Sequence, residues 1–124
     1  IAQSDAAFAA GQPGVMATLV KSPDARARPL AWSLASDRGV MARATYDVMT
    51  TDLRGDLARI TAPVTVLYAR DPDMGFAFSR VDGLYADNYA ALKGVRLRPV
   101  DGAFHFIMLD QPQAFAAEVE AFLR

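Results

Sequence analysis

His105 is the only histidine in the chain, and histidine is the side chain that exchanges protons near neutral pH. Between Phe104 and Phe106 it has two readings. In one, the ring is half-buried and satisfied by packing. In the other it is a general base, which needs a carboxylate on one ring nitrogen to fix the tautomer and stabilise the imidazolium. Asp71 is the candidate carboxylate, although an Asp71-Pro72-Asp73 turn after a strand is also ordinary turn chemistry.

The elements around these two residues decide whether they can meet. Residues 64–68 (VTVLY) form a run rich in β-branched side chains, bounded by Pro63 and a charged turn, and are expected to be a strand. Its near-continuous apolarity suggests burial on both faces, as in a parallel sheet. Residues 71–75 read as a loop and residues 80–92 as a helix, ended by Lys93-Gly94. Residues 95–100 (VRLRPV) alternate and make a second strand, followed by a loop over 101–109. Asp110 and Pro112 start a last helix, with Phe115, Val119, Phe122 and Leu123 at helical spacing. Strand, helix, strand, helix is an α/β order. A crossover between parallel strands sends both following loops out at one sheet edge, where open α/β sheets hold ligands. Strands about 4.8 Å apart then bring Asp71 and His105 within reach through short loops.

The first half is alanine-rich and helical in flavour, with repeated breaks. Ser4 or Asp5 can cap a helix to Ala10, which Gly11, Pro13 and Gly14 interrupt, and Pro13 can open a second helix ending near Lys21. Pro29 argues against one unbroken helix over 23–36. Ser36 or Asp37 caps a better candidate over 38–49, where Val40, Ala44 and Val48 recur with Met41 and Met49 beside them.

Composition removes several classes. With 124 residues, 52% hydrophobic and 22% charged, the chain fits one ordinary folded domain. Thirteen basic against fourteen acidic residues leave a net charge of −1, which announces no phosphate-binding face, so no nucleic-acid partner is expected. No cysteine is present, and the lone histidine gives no metal-ligand spacing. No glycine-rich turn opens a helix after a strand, so no nucleotide cradle and no cofactor are expected. The apolar runs fall short of the ~20 residues of a membrane span, and the first ten residues lack the basic start of an export leader.

Residues 52–124 resemble the C-terminal end of an α/β-hydrolase-fold enzyme. The resemblance rests on APVTVLYARDPDMG (residues 62–75) and DGAFHFIMLDQPQAF (residues 101–115). In that family the catalytic acid follows the next-to-last strand, and the catalytic histidine sits in a Gly-x-x-His-like turn after the last one. Gly102-Ala103-Phe104-His105 and Asp110-Gln111-Pro112 match those positions. Residues 1–51 fall where the family inserts a helical cap. The resemblance implies an α/β fold, a catalytic His105 and an orienting Asp71. Ala69 takes the family's glycine position and the turn is one residue shorter, which favours Asp71 and leaves Asp73 as the alternative acid. It also implies hydrolysis of an ester, lactone or amide bond in a small-molecule substrate.

One departure is large. The family's nucleophile is a serine in Gly-x-Ser-x-Gly, and Ser4, Ser22, Ser33, Ser36 and Ser79 all lie in other contexts. The attacking group is therefore expected outside these residues, on a missing N-terminal half or a second chain. The alternative function is a catalytically silent association domain that pairs, with a copy of itself or another chain, through an open sheet edge.

Overall fold

The computed structural model describes residues 4–124, the side chains of Phe76 and Ala77 apart. It is mixed α/β. Helices α1 (Asp5–Leu19), α2 (Ala27–Ala35) and α3 (Arg38–Thr50) precede strand β1 (Thr65–Arg70). Helix α4 (Val81–Asn88), strand β2 (Arg96–Asp101), the single turn α5 (Ile107–Asp110) and helix α6 (Pro112–Leu123) follow. Shorter 3-10 segments cover Pro23–Ala25, Arg54–Arg59 and Pro72–Arg80.

The strands pair in parallel from Thr65↔Arg96 to Arg70↔Asp101. Both expected strands exist, shifted one or two residues toward their C-terminal ends, and the parallel orientation holds. Burial is thinner than the sequence of β1 suggests: of its residues only Tyr68 is buried, the others being half-buried. The β-branched run therefore reports sheet propensity more than depth in a core. On one face of the sheet Leu67 and Ala69 pack with Phe115 against the buried Val100, Ala103 and Ile107. Tyr68, whose side chain points to the opposite face, stacks on Tyr85 of α4 with ring centroids 4.3 Å apart.

Helix α1 corrects the expected break. It runs unbroken through Gly11, Pro13 and Gly14, capped by the Ser4 side chain, which accepts from the Ala7 N–H at 3.2 Å. Pro13 has no N–H for the Ala9 carbonyl, but both residues lie on the exposed side, where water can take that acceptor. The buried side supplies the compensating contacts: Met16 is buried, and the Ser33 hydroxyl of α2 donates to Gln12 Oε1 at 2.6 Å. Pro29 is tolerated because it falls in the first turn of α2, where its missing N–H has no intrahelical partner to lose.

Helix α3 has the expected bounds to within a residue, and Asp37 caps it by accepting from the Val40 N–H at 2.9 Å. Its apolar stripe is exposed, however, with Val40, Val48 and Met49 all open to solvent. Arg38 anchors its start, pairing with Asp5 and lying 5.0 Å from the Phe8 ring centroid. Helix α4 is shorter than residues 80–92, because the chain tightens into turns at Tyr89–Leu92 before Gly94, which adopts φ +73°. The expected loop over 101–109 contains the start of α5.

Candidate functional site

The last rung of the sheet fixes where the two candidate residues begin. Arg70 and Asp101 face each other in register and are joined by a forked ion pair, Nε to Oδ1 at 2.6 Å and Nη2 to Oδ2 at 3.1 Å. Arg70 also reaches Asp82 Oδ2 at 3.0 Å. Asp71 leaves β1 and His105 follows β2 at this same edge.

Asp71 starts the 3-10 segment after β1. Its Oδ1 accepts from the Asp73 N–H at 2.8 Å, and Pro72 occupies the first position, where no N–H is required. Its carboxylate is 1% exposed, and Oδ2 accepts from Lys21 Nζ at 2.6 Å. That hydrogen bond, reinforced by the Asp73 N–H, holds the Asp71 carboxyl below the usual carboxylate range despite burial, which opposes ionisation. Lys21 is raised correspondingly, its bond to Asp71 being the main cause. Asp73 is mostly exposed and also pairs with Lys21, at 2.9 Å.

The histidine loop is pinned on both sides of His105. The Phe104 N–H donates to Asp110 Oδ2 at 2.8 Å, and the Phe106 N–H donates to the Leu19 carbonyl at 3.1 Å. Gly102 opens the loop at φ +75°, a conformation suited to glycine. His105 itself is exposed and meets the Phe106 ring edge-on, with centroids 5.2 Å apart. It is therefore not the half-buried histidine that its flanking phenylalanines suggest.

The structure thus brings Asp71, Asp73 and His105 to one edge, and it does not join His105 to either carboxylate. Among the described residues the imidazole makes no hydrogen bond, and the Asp71 oxygens are taken by Lys21 and the Asp73 N–H. His105 and Asp73 line a cleft of about 1030 Å³, whose walls include Met74, Leu84, Tyr85 and Phe104. From α1 this cleft takes Ala17 and Thr18.

Two residues at the site carry no signal at short range. Asp110 looks like a helix start, but α6 begins from Gln111, and the Asp110 carboxylate turns to backbone amides: Oδ2 accepts from Lys21 at 3.0 Å as well as from Phe104, and Oδ1 from Ser22 at 2.9 Å. Lys21 meets Asp71 across 50 positions. Neither pairing follows a local motif, so only the folded chain reveals it.

No cluster of His, Asp or Glu among the described residues could hold a metal ion, and no helix there is long and apolar enough to cross a membrane. No protein-family model, curated protein or solved structure matches the chain.

Proposed function

We propose that the chain is the cap and C-terminal part of an α/β-fold hydrolase acting on an ester-like bond, with His105 as base and Asp71 as its orienting acid. The observation that carries this reading is the common edge: two parallel strands end in register, and the loop after each bears one of the two residues. The cleft beside His105 has mostly apolar walls, which suits a small organic substrate.

In this reading a serine outside residues 1–124 attacks the substrate carbonyl. His105 takes the hydroxyl proton and returns it to the leaving group, leaving an acyl-enzyme. Water then attacks with His105 again as base, which releases the acid and frees the serine. Asp71 acts on His105 alone, holding one ring nitrogen so that the other faces the reaction.

A fluorophosphonate probe tests the assignment. Applied to the chain together with the complementary polypeptide that completes the sheet, it is expected to label a serine in Gly-x-Ser-x-Gly on that polypeptide, and His105→Ala should abolish labelling. Labelling of the 124-residue chain alone at Ser4, Ser22, Ser33, Ser36 or Ser79 would overturn it.

A second reading rests on the sheet itself. With two strands only, each has one edge unpaired among the described residues, and such edges recruit further strands. A chain that associates stably through this edge, yet never supports probe labelling in any complex, is an association domain.

A further inference from the structure

Lys21 belongs to neither strand loop, yet it bonds to both. Its N–H donates to Asp110 Oδ2 at 3.0 Å on the histidine side, and its Nζ donates to Asp71 Oδ2 at 2.6 Å on the acid side. The same ammonium lies 2.9 Å from Asp73 Oδ2 and 5.8 Å from the centroid of Phe104, the residue before His105. Arg26, on the same segment, closes the turn by donating to the Val20 and Lys21 carbonyls. The ionisable groups bonded to Lys21 are thus Asp71 and Asp73 beyond β1, Asp110 beyond β2, and Arg26 beside it.

We propose that Lys21 is a further residue of the candidate site, a positioning residue that occupies on Asp71 the place His105 takes in the working arrangement. The inference rests on the reading in which Asp71 orients His105. Asp71 is 1% exposed, so water is a poor substitute partner and its ionised carboxylate requires a donor. Lys21 supplies one, and its ammonium lies beside the ring of Phe104, the residue before His105. The Lys21 side chain is 38% exposed, and an ammonium is strongly hydrated, so it can leave toward water. The imidazole N–H then replaces one donor by another, and the buried carboxylate is never left unpartnered. Because Lys21 and Ser22 are bonded to Asp110 through their backbone, the exchange is confined to the lysine side chain.

The single histidine makes the exchange visible in the 124-residue chain. An imidazole N–H held by a carboxylate gives a slowly exchanging proton signal far downfield in the NMR spectrum. Wild type should lack it. Lys21→Met should produce it, and the double variant Lys21→Met/Asp71→Asn should lose it again. Lys21→Arg should keep the wild-type spectrum. Lys21→Leu, which likewise removes both donor and charge, provides the same comparison where Lys21→Met fails to fold by circular dichroism. A folded Lys21→Met or Lys21→Leu chain with the wild-type histidine spectrum overturns the proposal, as does a signal that persists in the double variant. If the signal appears as expected while no fluorophosphonate labelling occurs in any complex, the hydrolase reading falls and the exchange at Asp71 stands.

Discussion

The Gln111 side-chain amide donates to the Gly102 carbonyl at 3.1 Å, and a Cβ placed on Gly102 would lie 2.9 Å from that same nitrogen. A side chain at position 102 would therefore push the Gln111 amide off the bond that holds the opening of the histidine loop. The glycine of the Gly-x-x-His-like turn is required by its φ of +75°, and the close approach adds a displaced Gln111 side chain to the cost of replacing it. Gly102→Ala should lower unfolding stability by about 1–3 kcal/mol, the usual cost of a left-handed non-glycine residue. Denaturant unfolding measures it. Gln111→Ala in the same chain should recover only a part, because relieving the close approach leaves the backbone strain.

Asp71 makes stability depend on acid. Its carboxyl sits below the ordinary 3.8 in the folded chain, chiefly through the Lys21 hydrogen bond. In the window between the two values the unfolded chain binds more protons, so folding is favoured as pH rises. The contribution is complete above the unfolded value and is lost as pH falls through the folded one. Asp101, lowered chiefly by its bond from Arg70, and Asp82, lowered chiefly by the bond from Tyr68 and then by that from Arg70, act in the same direction. Urea midpoints measured down from about pH 5 should fall, and Asp71→Asn should flatten that decline. An equally steep decline in the variant would assign the acid sensitivity elsewhere.

Tyr68 has the opposite sign. Burial, and then the bond its hydroxyl donates to Asp82 Oδ1 at 2.7 Å, pushes the phenol up to about 12. The folded chain thus holds this proton more tightly than the unfolded chain, whose ordinary value is 10.0. The resulting stability is complete below 10.0 and is lost as pH climbs toward about 12. Tyr68→Phe should reduce the alkaline fall in urea midpoint. Absorbance titration should show one tyrosine fewer ionising late.

Asp110 ties the segment after α1 to the histidine loop through the amides of Lys21, Ser22 and Phe104. Bonds to a charged acceptor contribute about 1.5–3 kcal/mol each when well formed, and these are only partly buried. Asp110→Ala should therefore cost about 2–4 kcal/mol in all, below the simple sum. Hydrogen exchange at the three named amides should accelerate more than exchange within β1 and β2. Uniform acceleration across the chain would indicate global loosening.

What the sequence made legible follows the range of the forces involved. Strand propensity and turn chemistry act over a few residues, so the two strands, the cap at Asp37 and the positions of Asp71 and His105 at one edge could be read from local pattern. The course of α1 could not, because Pro13 is acceptable only where its freed carbonyl faces water and Gln12 finds Ser33. The role of Asp110 was hidden for a similar reason. A carboxylate two residues before Pro112 looks like a helix start until the amides of residues 21 and 22, remote in sequence, are brought to it. Lys21 on Asp71 is the hardest case, since either residue alone looks like solvated surface or turn chemistry.

If the hydrolase reading holds, the two loop residues carry unequal and separable loads in the complete protein. His105→Ala removes the base itself, so turnover should drop by several orders of magnitude with the substrate's KM little changed. Asp71→Asn should fall nearly as far, because an amide cannot hold the imidazole in the tautomer a carboxylate selects. Asp73→Asn should do much less: its side chain is largely exposed and touches Lys21, while the backbone N–H that serves Asp71 survives the substitution. Steady-state rates on a chromogenic ester measure all three. If Asp73→Asn proves the crippling change and Asp71→Asn the mild one, the orienting acid is Asp73, and the buried Asp71 is reduced to starting the turn that presents it.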